Sequence, residues 1–287
     1  MNLQVHYDLE PLSPILGASV RGLDLSREWT EAEAIELRKC FARYHVLCFP
    51  GQEITNDDQI RFARMFGRAD ADFIGKPQNV EYPGADGPAK RGVMFISNIR
   101  ENGKQVGALP DGELHFHSDG AHRKSPYRAT TLYGIKIPSR GGETKFANLE
   151  LAYERLPQVV KQRIEGLKVR NVYDTRATLR SQTDETDDTL SNAVHPLVRI
   201  HPDTGHKSLF CSRLMTRNIV GMDASESDAL LSQLFDHVEK PEFIYAHRWK
   251  PGDLLIWDNR CLNHARNDFP AEETRHLRRV TISEPVE

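Results

Sequence analysis

The sequence of 287 residues contains few cysteines and no long hydrophobic run. Its four cysteines, Cys40, Cys48, Cys211 and Cys261, include no Cys-x-x-Cys pair. Reduced, structural thiols are therefore expected, as in a cytosolic protein, and we predict a cytoplasmic location. No apolar stretch approaches the roughly 20 residues that are needed to span a bilayer. We therefore expect no membrane-spanning helix.

An excess of charge of one sign is also lacking. The 38 Lys and Arg residues nearly balance the 41 Asp and Glu residues, for a formal net charge of -3. Such a chain has no electrostatic footprint for nucleic acid or for an anionic membrane, so neither is expected as a partner. The first eight residues lack a basic stretch followed by an apolar one, and we expect no signal peptide. A small-molecule partner and a homo-oligomeric state are the remaining expectations.

Helical periodicity is clear in only a few segments. Thr30 and Glu33 form a capping-box pattern ahead of the first, and Ser225 and Asp228 form a similar pattern ahead of the last. The helices are predicted at about 31–44, from Thr55 to Gly67, from Asn148 through Leu156, from Pro157 to about Gly166, and from Ser225 through Val238.

Stretches rich in aromatic and β-branched residues separate these helices and are typical of strands. They lie at 44–49, 93–99, 128–137, 167–173, 196–201, 207–211, 242–249, 253–257 and 276–282. Many short strands, with helices mostly outside the series, favour a β-sandwich or jelly roll with helical cover over alternating βαβ units. We therefore predict a mostly β, α+β fold. No repeat or linker divides the chain, so a single domain over residues 1–287 is expected.

Two polar stretches interrupt this pattern, at about 73–113 and 174–194. The first is rich in turn residues, and the second contains an acidic run, Asp184-Glu185-Thr186-Asp187-Asp188, with almost no apolar content nearby. Long loops inside a compact domain are usually either functional lids or solvated segments without a role. We predict lids, with the solvated loop as the alternative.

One of three His-x-Asp sequences stands between segments that look extended. The three are His6-Tyr7-Asp8 in a terminal segment, His117-Ser118-Asp119, and His201-Pro202-Asp203 in a turn. Side chains two apart on a strand share a face, so His117 and Asp119 are candidates to bind one metal ion. A core histidine bonded to a nearby aspartate is the alternative. Spacing alone does not choose a third ligand among His195, His201, His247 and His264.

A resemblance to a known family extends from the N-terminal helix region to Ile282. The sequence resembles the taurine dioxygenase / 2,4-dichlorophenoxyacetate dioxygenase family of Fe(II)- and 2-oxoglutarate-dependent oxygenases. The residues that carry it are Phe116-His117-Ser118-Asp119, Gly141-Gly142-Glu143-Thr144, His195-Pro196-Leu197-Val198-Arg199, and Pro251-Gly252-Asp253 through Trp257-Asp258-Asn259-Arg260, followed by His264, Arg275 and Arg279. The resemblance implies a double-stranded β-helix, a jelly-roll fold of the cupin-like kind.

The resemblance also implies a set of catalytic and cofactor-binding residues. His117, Asp119 and His264 match the family's iron ligands. Thr144 and Arg275 match the groups that bind the distal carboxylate of 2-oxoglutarate, and a planar guanidinium suits a carboxylate because it binds both oxygens. Arg279 matches the residue that meets an anionic substrate group. In an extended strand, Arg275 and Arg279 would share a face.

Three further residues are candidates for contact with substrate. Asn98 and Phe210 are predicted to line the pocket, with core or turn roles as the alternative. Glu113 stands where the taurine enzymes carry an asparagine that contacts substrate, so taurine itself is not favoured. A Glu113 side chain facing the pocket would instead favour an amine-bearing substrate.

The resemblance implies an enzyme that uses Fe(II), 2-oxoglutarate and O2. It would hydroxylate a C–H bond of a small anionic substrate, such as a sulfonate, an aryloxyalkanoate or another carboxylate, and release succinate and CO2. A facial triad of two histidines and one carboxylate leaves the opposite face of the metal open for such chemistry. The alternatives are desaturation or ring closure on an amine-bearing substrate, and a non-catalytic metal-binding jelly-roll protein.

Overall fold

The computed structural model describes residues 7–69, 93–105, 107–108, 112–173 and 190–284. Within these ranges the chain forms five α-helices and one short 3₁₀ helix. The α-helices are α1 (Glu31–Tyr44), α2 (Asn56–Arg64), α3 (Leu149–Glu154), α4 (Gln158–Ile164) and α5 (Ala224–Val238), and the 3₁₀ helix is Pro241–Phe243. Every helix in these ranges is too short or too polar to span a bilayer.

Strands make up most of the regular structure in the described ranges. They are β1 (Asp8–Pro11), β2 (Ala18–Arg21), β3 (Val46–Phe49), β4 (Arg68–Ala69), β5 (Met94–Ser97), β6 (Arg100–Glu101), β7 (Lys104–Gln105), β8 (Leu114–His117), β9 (Ala129–Lys136), β10 (Thr144–Asn148), β11 (Lys168–Val172), β12 (Asn192–Pro196), β13 (Val198–Ile200), β14 (Lys207–Leu209), β15 (Thr216–Ile219), β16 (Ile244–His247), β17 (Leu254–Asp258), β18 (Leu262–Arg266) and β19 (His276–Ser283). The predicted class, mostly β with helical cover, is confirmed.

Two sheets form the frame of the molecule. The larger has eight strands in the order β1-β2-β3-β17-β9-β19-β4, with β5 also paired to β19, and the smaller has the order β16-β10-β18-β8. Trp257 of β17 and Phe146 of β10 belong to one hydrophobic cluster, with ring centroids 5.5 Å apart, so the two sheets face each other. This arrangement is the predicted jelly roll.

Helices α1 and α2 cover the outer face of the larger sheet. The α1 helix follows the capping box predicted from Thr30 and Glu33, and α2 follows a second box at Thr55. Phe41 of α1 and Phe62 of α2 are buried against strands of the larger sheet. Such reciprocal caps satisfy backbone N–H groups that the first helical turn leaves without a partner. The capping boxes and apolar positions in the sequence were therefore sufficient to predict these two helices.

Several predicted boundaries were wrong. The last helix is capped by Asp223, whose carboxylate accepts from the backbone N–H groups of Ser225 and Glu226, so the cap lies two residues earlier than predicted. The strand predicted over 242–249 begins as a 3₁₀ helix at Pro241. Proline is well suited to the first turn of a helix because it has no N–H to leave unpaired there.

The two predicted lid loops fall partly outside the described residues. Of the stretch at 73–113, residues 73–92, 106 and 109–111 are outside, and the rest contains β5, β6 and β7. Of the stretch at 174–194, residues 174–189 are outside the described ranges. Strand β12 begins at Asn192, so the predicted C-terminal bound of this loop was wrong. Ala193 and His195 of β12 are buried where the strand pairs with β11.

Candidate functional site

Two histidines and one aspartate converge between the two sheets. The Nε2 atoms of His117 and His264 lie 3.8 Å from the Oδ1 and Oδ2 atoms of Asp119, respectively. All three side chains are buried, and one potential ligand atom from each lies within 4.8 Å of the others. Although 147 positions separate His117 from His264 in the sequence, the fold brings together the three predicted ligands.

Strand pairing explains how the two histidines meet. His117 of β8 is directly opposite His264 of β18, and their ring centroids are 4.2 Å apart. Strand β8 ends at His117, so Asp119 is carried by the following turn. The prediction had instead placed both residues on one strand. Gly120 in this turn has φ +72°, and a Cβ there would lie 2.7 Å from the Tyr127 ring. Glycine is therefore required for the chain to turn directly after Asp119.

The hydrogen bonding of the triad leaves it ready to bind a metal ion. The Nδ1 atom of His117 lies 2.9 Å from the backbone carbonyl of His115, and a carbonyl can only accept, so Nδ1 carries the proton and Nε2 keeps its lone pair. Burial lowers the pKa of His117, and burial together with His117 lowers the pKa of His264 to about 3. Neutral imidazoles beside an ionised carboxylate are suitable ligands for a divalent cation.

The charge and orientation of Asp119 are set by its neighbours. Burial acts to raise the pKa of this carboxyl, but the charge of Arg279, together with a hydrogen bond from Thr130, lowers it well below its ordinary value. The Thr130 hydroxyl donates a hydrogen bond of 2.7 Å to Oδ2 of Asp119, and Asn259 Nδ2 donates to that hydroxyl at 3.0 Å. Trp257 in turn donates to Asn259. These bonds hold the carboxylate in one orientation.

Arg279 reaches the triad from the larger sheet. Its Nη1 atom is 3.3 Å from Oδ1 of Asp119, and its side chain is 13% exposed. The guanidinium therefore lies beside the carboxylate and on the wall of the same cavity. Arg275 also lines that cavity, so both guanidiniums reach the space between the sheets.

The cavity extends from the triad to Thr144 and Arg275. Trp249 Nε1 donates a hydrogen bond of 3.0 Å to the Thr144 hydroxyl oxygen, which leaves the hydroxyl hydrogen available to an acceptor in the cavity. Arg275 is 2% exposed. Its guanidinium donates to the backbone carbonyl of Gly142, at 3.3 Å from Nε and 3.2 Å from Nη2.

Arg275 has no carboxylate partner among the residues that the structure describes. Burial and the nearby charge of Arg266 lower its pKa to about 9, which leaves it protonated at neutral pH. A buried cation of this kind is costly unless an anion binds beside it. Gly142 allows the close approach, because its φ is +68° and a Cβ there would lie 3.0 Å from Nε of Arg275. The cavity therefore ends in a buried cationic group.

The other predicted site residues make different contacts. Asn98 donates to the carbonyl of Glu273 at 2.8 Å and accepts from the Arg275 backbone N–H at 2.9 Å, so its amide holds the backbone that carries Arg275. Phe210 is buried edge-to-face against His195. Neither residue is among those that line the cavity.

Glu113 also lies apart from the cavity. Its side chain is 54% exposed, and Oε1 is 3.8 Å from Nζ of Lys145. The structure therefore gives no support to a pocket-facing carboxylate at this position. His115, two residues further on, contributes its backbone carbonyl to His117 and no ligand atom to the triad.

Two other clusters of potential metal ligands are internally hydrogen-bonded. In the first, the His45 ring lies between Cys261 and Glu150, with contacts of 3.3 Å at each of its nitrogens. In the second, His247 Nε2 is 3.1 Å from Asp253 and its Nδ1 is 3.1 Å from the Tyr245 hydroxyl. In both clusters the imidazole nitrogens already have partners, so these groups act as buried polar networks.

Four residues at the site were not predicted from the sequence. Thr130 and Asn259 support Asp119, Trp249 supports Thr144, and Arg266 lines the cavity. Only Asn259 carried a signal, because it lies in the Trp-Asp-Asn-Arg motif. Thr130 and Trp249 depend on contacts between strands that are distant in sequence.

Comparisons with known proteins agree with this site. The family model described as "Taurine catabolism dioxygenase TauD, TfdA family" matches residues 8–281. The alpha-ketoglutarate-dependent 2,4-dichlorophenoxyacetate dioxygenase of Cupriavidus pinatubonensis is 32% identical over 284 residues, with 94% of this chain and 96% of that protein covered. The (S)-phenoxypropionate/alpha-ketoglutarate-dioxygenase of Sphingobium herbicidovorans is 31% identical, with 94% and 92% covered.

Solved structures give the same result. A taurine dioxygenase from Burkholderia xenovorans has a TM-score of 0.79 at 29% identity, with 98% of this chain and 90% of that chain covered. A structure in complex with Mn(II) and N-oxalylglycine has a TM-score of 0.80 at 29% identity, with 96% and 98% covered. The chain belongs to the TauD/TfdA family and is an Fe(II)- and 2-oxoglutarate-dependent dioxygenase.

Proposed function

We propose that His117, Asp119 and His264 hold the Fe(II) ion and that Thr144 and Arg275 bind the distal carboxylate of 2-oxoglutarate. The observation that carries this proposal is the placement of two chemically different groups in one cavity. Three buried donor atoms lie at one end, within 4.8 Å of each other. At the other end is a buried guanidinium that has no carboxylate partner within the described ranges. A co-substrate with an oxo acid at one end and a carboxylate at the other would occupy both.

Iron held by these residues would activate O2, the oxidant of the reaction, with one oxygen atom going to succinate as 2-oxoglutarate loses CO2 and the other going to the substrate. The protein's part is to bind and orient. Thr130 and Asn259 fix the Asp119 carboxylate, and Arg275 sets the position of the co-substrate through its far end. Apolar side chains, including Leu132 and Trp257, line the cavity and exclude water from the reacting groups.

We propose that Arg279 binds the anionic group of the substrate. Once Asp119 shares its charge with a bound metal ion, the Arg279 guanidinium has a weaker partner and can pair with an incoming carboxylate. The relatives named for 2,4-dichlorophenoxyacetate and phenoxypropionate favour an aryloxyalkanoate as the substrate class. A relative named alkylsulfatase, 32% identical, makes sulfate esters and sulfonates the next compounds to test. The reaction proposed is hydroxylation of a C–H bond near that anionic group.

Desaturation or ring closure on an amine-bearing substrate is the second candidate. Its main support was a pocket-facing Glu113, and the exposed position of that side chain weakens it. The mass of the product separates the two outcomes, because hydroxylation adds one oxygen whereas desaturation removes two hydrogens.

A screen of succinate release across aryloxyalkanoates, sulfonates and sulfate esters tests the substrate proposal. For the best substrate, Arg279→Gln is expected to raise KM by about tenfold or more, since a hydrogen bond to a charged group contributes about 1.5–3 kcal/mol. Arg248→Gln, which removes an exposed cation, is the matched control. Retention of the visible Fe(II)–2-oxoglutarate band in Arg279→Gln would show that the iron site is intact. An unchanged KM in that variant would refute the role of Arg279.

We also propose that the chain is one domain, with lids formed by the parts of 73–113 and 174–194 that lie outside strands β5 and β12, and that it acts as a homo-oligomer in the cytoplasm. All four cysteines are free, which supports a reducing compartment. Light scattering coupled to size-exclusion chromatography tests the oligomeric state, and a monomer at working concentration would contradict it. Limited proteolysis with and without 2-oxoglutarate tests the lids, since closure should protect both stretches from cleavage.

A further inference from the structure

A second guanidinium, that of Arg266, shares the cavity with Arg275. Arg266 lies two residues beyond His264 on β18, so the two side chains leave the same face of the strand. It is directly opposite Thr144 of β10. Its side chain is buried and lines the cavity together with Thr144 and Arg275. Arg266 is therefore at the end of the cavity that holds the co-substrate anchor, and not at the triad.

The two guanidiniums are close enough to influence each other. Both approach the Phe269 ring, with Cζ of Arg266 5.6 Å and Cζ of Arg275 5.9 Å from its centroid. After burial, the charge of Arg266 is the second cause of the low pKa of Arg275. The Nη2 atom of Arg266 donates a hydrogen bond of 2.7 Å to the Gly112 carbonyl, which holds the guanidinium at the cavity wall.

Two buried cations beside one cavity favour a ligand with concentrated negative charge. Like charges in a poorly solvated space repel each other, and a carboxylate between them relieves the repulsion. A carboxylate accepts at about four lone-pair sites, more than the Arg275 fork and the Thr144 hydroxyl use. We propose that Arg266 is a second anion-binding residue for the co-substrate and makes the cavity selective for 2-oxo acids that carry a second carboxylate. This proposal rests on the proposed function of Thr144 and Arg275.

Two 2-oxo acids separate the two ends of the cavity. 2-Oxoglutarate has the far carboxylate, whereas 2-oxobutyrate keeps the 2-oxo acid end and lacks it. Their dissociation constants are measured from the visible band that forms on anaerobic addition to the Fe(II) enzyme. Arg266→Gln is expected to raise the dissociation constant of 2-oxoglutarate by about tenfold, because a hydrogen bond between charged groups is lost. The dissociation constant of 2-oxobutyrate is expected to stay the same.

Two further variants make the result interpretable. Lys145→Gln is the control, because Lys145 is next to Thr144 but does not line the cavity. Its Nζ atom lies 5.8 Å from the centroid of the Phe116 ring. This variant should leave both dissociation constants unchanged. Arg266→Lys keeps the charge and should recover part of the affinity if Arg266→Gln folds poorly. The proposal would be overturned if folded Arg266 variants bound both acids more weakly by the same factor, or bound both as tightly as the wild type. No band with either acid in the wild-type enzyme would instead refute the proposed function.

Discussion

The indole N–H of Trp249 donates a hydrogen bond of 3.0 Å to the hydroxyl of Thr144. Because that oxygen already accepts one bond, the hydroxyl is oriented to donate into the cavity. Trp249→Phe keeps an aromatic ring in the core but removes the donor. We expect KM for 2-oxoglutarate to rise about fivefold, since a neutral hydrogen bond contributes about 1 kcal/mol, with little change in kcat. Steady-state succinate release measures both constants.

Trp29→Phe is the matched control for this substitution. Trp29 Nε1 has no hydrogen-bond partner in the part of the chain that the structure describes, and its ring instead packs under the Arg27 guanidinium at 4.0 Å. The control should therefore leave KM unchanged. Equal KM values for Trp249→Phe and Trp29→Phe would mean that the Thr144 hydroxyl does not depend on Trp249.

Thr130→Val should weaken the binding of Fe(II). The Thr130 hydroxyl donates to Asp119 at 2.7 Å, and valine keeps the shape of the side chain while removing this bond. Loss of a group that orients a metal ligand typically lowers metal affinity about 10–100-fold. Competition with a metal-sensitive dye under anaerobic conditions gives the dissociation constant.

Thr131→Val provides the comparison within the same strand. The Thr131 hydroxyl accepts from Gln59 Nε2 at 3.0 Å and does not contact the triad. Loss of the Thr131 hydroxyl is expected to lower the free energy of unfolding without changing the affinity for Fe(II). If both valine variants bind Fe(II) as tightly as the wild type, Thr130 does not position Asp119.

Asp258 is expected to control stability at low pH. Burial would raise its pKa, but hydrogen bonds from Arg260 and His201 hold it well below the ordinary value of 3.8. Because the folded-state pKa is the lower one, the stabilisation is complete above the ordinary value and is lost as the pH falls toward the folded-state pKa. Asp258→Asn should lower the free energy of unfolding by about 3–5 kcal/mol at pH 7, as for a broken buried ion pair.

Urea unfolding between pH 7 and pH 3 tests this dependence. The difference between the wild type and Asp258→Asn should shrink at the acid end, because there the unfolded wild-type chain takes up a proton at Asp258 while the folded protein still holds the carboxylate ionised. Asp236→Asn removes an exposed partner of Arg213 and should have little effect at any pH. A difference that stays constant across the range would show that the Asp258 charge does not stabilise the fold.

The helices and the triad could be predicted from the sequence for different reasons. The bounds of α1 follow from a local capping box and an apolar face, both of which are readable within 14 residues. The choice of His264 as third ligand depended on the family resemblance, because spacing alone did not distinguish it from three other histidines. The partners of the chain's other histidines, such as Asp258 for His201, are set by side-chain contacts between segments that are distant in sequence.

Strands β10 and β18 were missed although they carry Thr144 and His264. Both contain polar residues, such as Lys145 and Arg266, that break the usual strand pattern. Their burial comes from pairing with each other and from the facing sheet, and no local periodicity records it. For the same reason the second guanidinium at the co-substrate end could not be placed before the register of these strands was known.

The convergence of His117, Asp119 and His264 on one Fe(II) ion is tested most directly by visible absorption. Anaerobic addition of Fe(II) and 2-oxoglutarate to the wild-type enzyme should produce a weak charge-transfer band. His115→Ala should keep this band, because residue 115 contributes only its backbone carbonyl to His117. His117→Ala should abolish it. An undiminished band in His117→Ala, or no band in the wild type, would contradict the account.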